Sequence, residues 1–348
     1  MPTIYDVARE AQVSLATVSA VMNNSAYVSP GLKERVTSAV RKLGYQPNLV
    51  ARGLATARTR TLGVIVPNIA NPFWPEVVRG IEDRAHAHGY TVLLASSDDE
   101  RERETLYLRL FLSKRVDGVI VTKTAGALDA DVARRLRHTG IPVVQLMRTT
   151  SALRGDKVLV DDAGGSYEAV AHLLRLGRRR IAMINGITRV STAAARLRGY
   201  RAALKDARRP YDASLVAQGE FRVDPGYDAA VRLLKRRPDA FFVANYLMTV
   251  GLMRALRQYQ LRCPEDVAIV TCDDYAWMDA FHPRLTTVNL PKYELGRAGA
   301  DALLERLSGE GRPRSRTIVL RTSLCLRESC GFELQRPATA RARARTSR

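Results

Sequence analysis

From about Thr61 onward, short apolar runs alternate with apolar residues at helical spacing. "TLGVIVPN" reads as a buried strand and "WPEVVRGIEDRAHAHG" as an amphipathic helix closing at Gly89. "YTVLLAS" is the next strand, "RERETLYLRLFLSKR" the next helix, and "VDGVIVTK", a helix around Val132–Arg137 and "IPVVQLM" follow. Apolar runs separated by helical periodicity indicate parallel strands with crossover helices. The pattern restarts at "DKVLVDD" and continues through "GSYEAVAHLLRLG", "RRIAMING", "AARLRGYRAALKDA", "GYDAAVRLLKRR", "DAFFVAN", "TVGLMRALRQYQ" and "DVAIVTCDD". After "LTTVNLP" come one more helix, "YELGRAGADALLERL", and a strand, "RTIVLRTSL". Two such runs exceed one compact sheet. They predict an α/β fold of two doubly wound lobes, with a cleft at the carboxyl ends of the strands.

The first 60 residues follow a different rule. Thr3 is placed to cap a helix whose third position is Asp6, with Ile4, Val7, Ala8 and Ala11 on one face. Ser14 is placed to cap a second helix with Val18 and Val21 inward, and Ser29–Pro30 opens a third carrying Val36, Val40 and Leu43 before Gly44. A helix, a tight turn through Gln12–Ser14 and a second short helix match the helix-turn-helix scheme. Leu15, Ala16, Thr17, Ser19 and Ala20 then form a slim outward face that fits a major groove. A three-helix bundle serving protein contacts has the same pattern.

Charge adds a partner class without locating it. The chain has 348 residues and a net charge of +20. Residues 1–60 hold eight Lys/Arg against three Asp/Glu, Gln335 to Arg348 hold five Arg and no acid, and about half the excess lies between. That balance suits a polyanion. No run approaches the roughly 18 apolar residues of a membrane span, and no secretory h-region opens the chain, so the cytoplasm is the expected location. Cys263, Cys272, Cys325 and Cys330 form no CxxC pair, and no metal site is expected.

"TIYDVAREAQVSLATVSAVMNN…VSPGLKERVTSAVRKLGYQPNLVARGLATARTRTLGVIVPNIANPFW" resembles the start of LacI/GalR-family transcriptional regulators. The likeness continues through "DGVIV", "GIPVV", "LVDDAGGSYEAVAHLLRLGRRRIAMI", "RLRGYRAAL" and "PEDVAIVTCDDYAWMDAFHPRLTTVNLPKYELG" to "LCLRES". The resemblance implies a helix-turn-helix headpiece (1–46), a hinge helix or linker (47–60) and a two-lobed core like periplasmic sugar-binding proteins (61–333), and it leaves a basic, disordered tail (334–348) that matches nothing in the family pattern. It places Leu15, Ala16 and Ala20 at operator-discriminating positions, and Thr17, Ser19 and Asn23 at positions that contact phosphates, with Thr3 joining the DNA-binding set. Ala20 stands where an Arg is frequent, which removes a pairing with guanine of about 1–3 kcal/mol. In the hinge, Leu54 matches a leucine wedged into the minor groove beside Arg52, and Gly53 replaces the usual Ser. A flexible basic linker is the alternative there.

For the cleft, the resemblance implies a small-molecule effector, a sugar or sugar acid, held by Asn71, Phe73, Trp74, Arg148, Arg196, Phe221, Asn245 and Asp273. Aromatic faces pack on sugar C–H faces, and planar charged groups take hydroxyl pairs. The same aromatics also suit a core, and Arg148 and Asp273 also suit ion pairs between lobes. Tyr246 stands where Asp is usual, "TCDD" where "GFDD" is, Leu290 where Gln is common, and Ala194 where an Arg is common near Ser191 and Thr192. No GxGxxG follows the first strand, no Walker motif or serine elbow occurs, and no catalytic residue or cofactor is expected. The expectation is therefore a homodimeric repressor on double-stranded operator DNA, not an enzyme and not a membrane protein. The other readings are a ligand-binding transport receptor, which the headpiece disfavours, and a nucleotide-cofactor enzyme, which lacks its glycines. The tail has no heptad leucines for a coiled coil.

Overall fold

The computed structural model describes residues 2–23, 26–45, 58–280, 282–309 and 314–332. The chain divides into two compact units, Met1–Arg60 and Thr61–Arg348. In the first, α1 (Ile4–Glu10), α2 (Leu15–Asn23) and α3 (Pro30–Leu43) close on Val7, Val18 and Val36, all fully buried. Thr3 and Asp6 form a complete capping box. The turn between α1 and α2 pivots on Gln12 at φ 49°. The Arg35 guanidinium on α3 fastens that turn by donating to the carbonyls of Ala11 (2.6 Å) and Gln12 (3.0 Å). The Ser14 hydroxyl accepts from the Thr17 N–H at 3.1 Å and starts α2.

The second unit holds two six-stranded sheets. Its elements in chain order begin with β1 (Thr61–Val66), α4 (Phe73–Ala87), β2 (Thr91–Ser96), α5 (Arg101–Ser113), β3 (Gly118–Val121), α6 (Ala130–Thr139), β4 (Val143–Leu146) and β5 (Asp156–Val160). Next come α7 (Asp162–Arg175), β6 (Ile181–Asn185), α8 (Ser191–Asp206), β7 (Val216–Gln218), α9 (Val223–Leu234), β8 (Ala240–Val243), α10 (Tyr246–Gln258) and β9 (Ala268–Cys272). The unit ends with β10 (Thr286–Asn289), α11 (Lys292–Ser308), β11 (Thr317–Leu320) and β12 (Ser323–Cys325).

The first sheet runs β11-β5-β4-β3-β1-β2, all parallel, and the second runs β12-β10-β9-β8-β6-β7, with only β12 antiparallel. β1, β3 and β4 are buried nearly throughout, as strands covered by helices on both faces must be. Helices α4 and α11 cover one face of the first sheet, and α5 and α6 the other. Helices α7 and α8 cover one face of the second sheet, and α9 and α10 the other. The α4–α11 crossing is backbone-close. A Cβ on Gly296 would lie 1.9 Å from the Val77 carbonyl oxygen, so only glycine fits there.

Two expectations change. "DKVLVDD" does not open the second lobe, because β5 pairs with β4 and β11 in the first sheet. The chain crosses only afterwards, at Asp161–Asp162, returns at Leu290–Pro291, and crosses a third time between β11 and β12. "RTIVLRTSL" is therefore two strands in different sheets, and three-residue β7 is a strand that periodicity did not mark. Among the described residues no helix is long and apolar enough to cross a membrane.

Candidate functional site

In each sheet the strand order reverses once, between β1 and β3 in the first and between β6 and β8 in the second. Helices on the two sides of such a point diverge and leave a crevice at the carboxyl ends of the strands. The loops there line one pocket with about 600 Å³ of empty space, its open mouth included. All eight residues expected to hold an effector line it. Asn71, Phe73 and Trp74 follow β1, Arg148 follows β4, Phe221 follows β7, Asn245 follows β8, Asp273 follows β9, and Arg196 comes from α8.

Each side chain is held by a local device. Asn71 Oδ1 accepts from the Phe73 N–H (3.1 Å) and sets the start of α4, where the Phe73 and Trp74 rings meet edge to face at 5.0 Å. Both rings are nearly buried, so they serve the core as well as the pocket. Asn245 caps α10, its Oδ1 accepting from the Met248 N–H (2.9 Å) while its amide donates to the Phe221 carbonyl (3.3 Å). The Phe221 ring lies across Gly186, where a Cβ would come within 1.8 Å of it. Any larger residue at Gly186 displaces that wall.

The charged groups are paired in a specific order. Arg148 reaches Asp99 through both terminal nitrogens, and its guanidinium lies 5.2 Å from the Phe221 ring centroid. That ion pair joins two loops of the first lobe rather than the two lobes. Arg196 donates to Asp162 Oδ1 (2.8 Å) and to the Ala244 carbonyl. Burial works against the Arg196 charge, and Asp162, Cys272 and Asp273 together outweigh it, lifting the guanidinium above its ordinary value. Burial pushes Asp162 and Asp273 above the usual carboxylate range, with Arg196 pulling each part of the way back. Asp273 Oδ2 accepts from the Tyr246 N–H at 3.2 Å. Between the lobes, Arg222 donates to the Asp98 carbonyl (3.1 Å) and the Thr149 N–H to Ser191 Oγ (3.1 Å).

In the headpiece, Leu15 and Ala16 are exposed, and Thr17, Ser19 and Ala20 are half-buried on α2. The Thr17 hydroxyl already meets Ser14 Oγ at 2.9 Å, and the Thr3 hydroxyl donates to Asp6 (2.7 Å). Asn23 ends α2 with its side chain outside the described residues, and Arg52 and Leu54 lie wholly outside them, as does the tail from 334. Sequence reasoning passed over the exposed Tyr5 and Tyr27 of the headpiece. It also passed over the pocket residues Asp98, Asp99, Glu220 and Arg222. Their one signal is that loop polar residues directly after strands of a doubly wound sheet face the crevice.

Residues 3–48 match the model of bacterial regulatory proteins of the lacI family, and residues 170–330 match a periplasmic binding protein-like domain. The chain is 34% identical over 311 residues to catabolite control protein A of Priestia megaterium, covering 88% of this chain and 93% of that one. A solved complex of the transcriptional regulator CelR with cellobiose is 36% identical over 94% of this chain and all of its own, with a TM-score of 0.71. The lac repressor dimer bound to operator and the anti-inducer ONPF is 28% identical, covers 94% of this chain and 99% of its own, and superposes with a TM-score of 0.83.

Proposed function

The chain belongs to the LacI family of DNA-binding transcriptional regulators, and from that membership we propose how it divides the work. The headpiece reads an operator through Leu15, Ala16 and Ala20 in the major groove, with Thr3, Thr17, Ser19 and Asn23 near phosphates. Arg52 and Leu54 act in the minor groove. The pocket takes the effector, and the protein works as a homodimeric repressor in the cytoplasm, on the nucleoid. The observation that carries the effector reading is the gathering of Asn71, Phe73, Trp74, Arg148, Arg196, Phe221, Asn245 and Asp273 around one crevice.

The charge pairing narrows the effector. A sugar acid would have to reach Arg222 at the mouth, which bonds a carbonyl, because the two inner arginines are engaged, Arg148 by Asp99 and Arg196 by Asp162 and the Ala244 carbonyl. A neutral sugar suits the site better, with Asp273 and Asn245 for its hydroxyls and Phe221 and Trp74 for its apolar face. Among the described residues no nucleophile with an adjacent base faces the pocket, which favours binding without turnover. Dimer formation is supported by apolar side chains left at the rim of the first sheet. Leu93 and Leu94 on edge strand β2 are 36% and 39% exposed, and Leu106 on neighbouring α5 is 61% exposed. A 100-fold change in operator affinity requires the effector to favour one lobe arrangement by about 2.7 kcal/mol.

Fluorescence anisotropy on the DNA upstream of its own gene, across a salt series, tests this reading. Preference over random DNA that is lost in Leu54→Ala is the expected result. Equal, steeply salt-dependent binding to both DNAs by both proteins overturns it.

A further inference from the structure

About half of the excess positive charge lies outside the headpiece and tail, and the fold collects much of it in one place. In a parallel sheet every segment leading into a strand lies on the same edge. In the second sheet the segments before β6, β7, β8 and β9 are 175–180, 205–212, 232–239 and 257–267. Together they hold 13 Lys/Arg against 5 Asp/Glu. All of these basic residues except Arg178 are exposed. This edge is opposite the one that lines the pocket, so it plays no part in that site.

Helix carboxyl ends attract a basic residue or two through the dipole, worth about 0.3–1 kcal/mol each. That accounts for Arg175, Lys205, Arg232 and Arg257 but not for the runs Arg178–Arg180 and Lys235–Arg237, which lie beyond the helices. Nor is the charge cancelled locally, because the bases outnumber the acids by eight, and most of the carboxylates bond backbone N–H groups rather than arginine side chains. Asp239 accepts from the N–H groups of Arg179 (2.7 Å) and Arg180 (3.0 Å), Asp212 from the Ser214 N–H (2.8 Å) and Asp266 from the Arg262 N–H (2.8 Å). Asp206 accepts from the Tyr167 hydroxyl at 3.1 Å. Among the described residues only Arg262 of this basic set is held in an ion pair.

We propose that this arginine edge of the second lobe is a sequence-independent docking surface for a second DNA duplex, through which a protein bound at its operator bridges to a neighbouring segment. The strands β7-β6-β8-β9 are consecutive in the sheet, so the edge is about 14 Å across at the ~4.8 Å strand spacing. That is close to the ~12 Å width of a major groove between its phosphate walls. Arginine is the residue suited to such a surface, because its planar fork pairs with two phosphate oxygens at once. The inference goes beyond the headpiece reading and does not share its residues.

The test loads full-length protein onto bead-bound upstream DNA and adds a fluorescent random duplex. It compares wild type with Arg179→Glu/Arg208→Glu/Arg236→Glu/Arg237→Glu and with the milder Arg236→Gln/Arg237→Gln. Wild type is expected to retain the second duplex, with affinity falling roughly 100-fold from 50 to 200 mM salt for about four phosphates. The quadruple variant is expected to lose about tenfold or more and the double variant part of that, with upstream-DNA binding and melting temperature unchanged. No capture by wild type overturns the proposal. So does undiminished capture by the quadruple variant, which assigns the effect to the tail or another surface. Competition by polyglutamate at equal charge that matches competition by DNA overturns the choice of partner.

Discussion

Half of the non-glycine residues with positive φ among those described line the pocket. They are Asp98 (51°), Asp99 (60°), Met147 (62°), Glu220 (55°), Phe221 (58°) and Asp273 (75°). Left-handed backbone at such residues costs of order 1 kcal/mol each, and it persists where the surrounding structure dictates it. Here it turns each side chain from its strand direction into the crevice. Asp273 is the residue on which the sugar reading is most exposed to test. Asparagine keeps an acceptor for the Tyr246 N–H and removes a carboxyl that burial pushes up. Asp273→Asn is expected to melt no lower than wild type at neutral pH. It is expected to bind the effector at least about tenfold more weakly, as the loss of a charged hydrogen bond of about 1.5–3 kcal/mol requires. Calorimetry with the sugar found by screening checks both halves, and unchanged affinity removes Asp273 from the site. Asp273 was legible because a family pattern marks it. Asp99 and Asp162, which decide how Arg148 and Arg196 are used, were not, because a pairing partner in another loop leaves no periodic trace.

At the scale of elements, β5 shows where sequence stops short. Its apolar pattern marks it as a strand, but nothing local says which sheet it joins, since parallel strands pair over long separations. Its place is fixed by Asp156. Oδ2 of that carboxylate accepts from Arg306 Nε (3.0 Å), and Oδ1 accepts from Arg306 Nη2 (2.7 Å) and the Arg316 N–H (2.8 Å), joining β5 to α11 and to the start of β11. Burial opposes the Asp156 charge, and the bonds from Arg306 and Arg316 outweigh it, holding its carboxyl below the usual carboxylate range. With the folded value below the unfolded one, this stabilisation is present above the unfolded pKa and is lost as pH falls through the folded pKa. Asp156→Asn is expected to destabilise the core by about 1.5–3 kcal/mol at pH 7, the range of a hydrogen bond to a charged group. The gap from wild type in urea midpoint should shrink once the pH drops below the unfolded carboxylate range. A gap independent of pH would show that the ion pair is not what fixes β5. The three helices of the headpiece were legible by contrast, because capping box, turn and helix starts all lie within a few residues of one another.

At the scale of the whole molecule, the leucines on β2 and α5 predict a partner copy. Leu94→Asp places a charge on that edge and is expected to shift sedimentation from dimer to monomer with the fold intact by circular dichroism. Operator affinity should fall about 100-fold or more, because two linked headpieces reinforce each other and two free ones do not. A dimer that survives the substitution places the interface elsewhere. The hydrogen bonds from Arg222 to Asp98 and from Thr149 to Ser191 join the lobes at the pocket rim. They are among the contacts that any effector-driven change in lobe closure has to remake, as is the Arg148 guanidinium on the Phe221 ring.

The three passages of the chain between the lobes also govern how the protein is made. A nascent chain cannot finish its first lobe and then begin the second. When β5 emerges, its outer neighbour β11 is more than 150 residues from being synthesised, and α11, which covers one face of the sheet, begins only at Lys292. At about 5–20 residues per second, the open flank of β5 waits roughly 8–30 s for β11. Through that interval the unfinished sheet offers an unpaired edge and an apolar face covered by α4 alone while the second lobe is still being translated. A ribosome that stalls anywhere between β5 and β11 releases a chain with neither lobe complete, a substrate for chaperones or proteases rather than a half-sized binding protein.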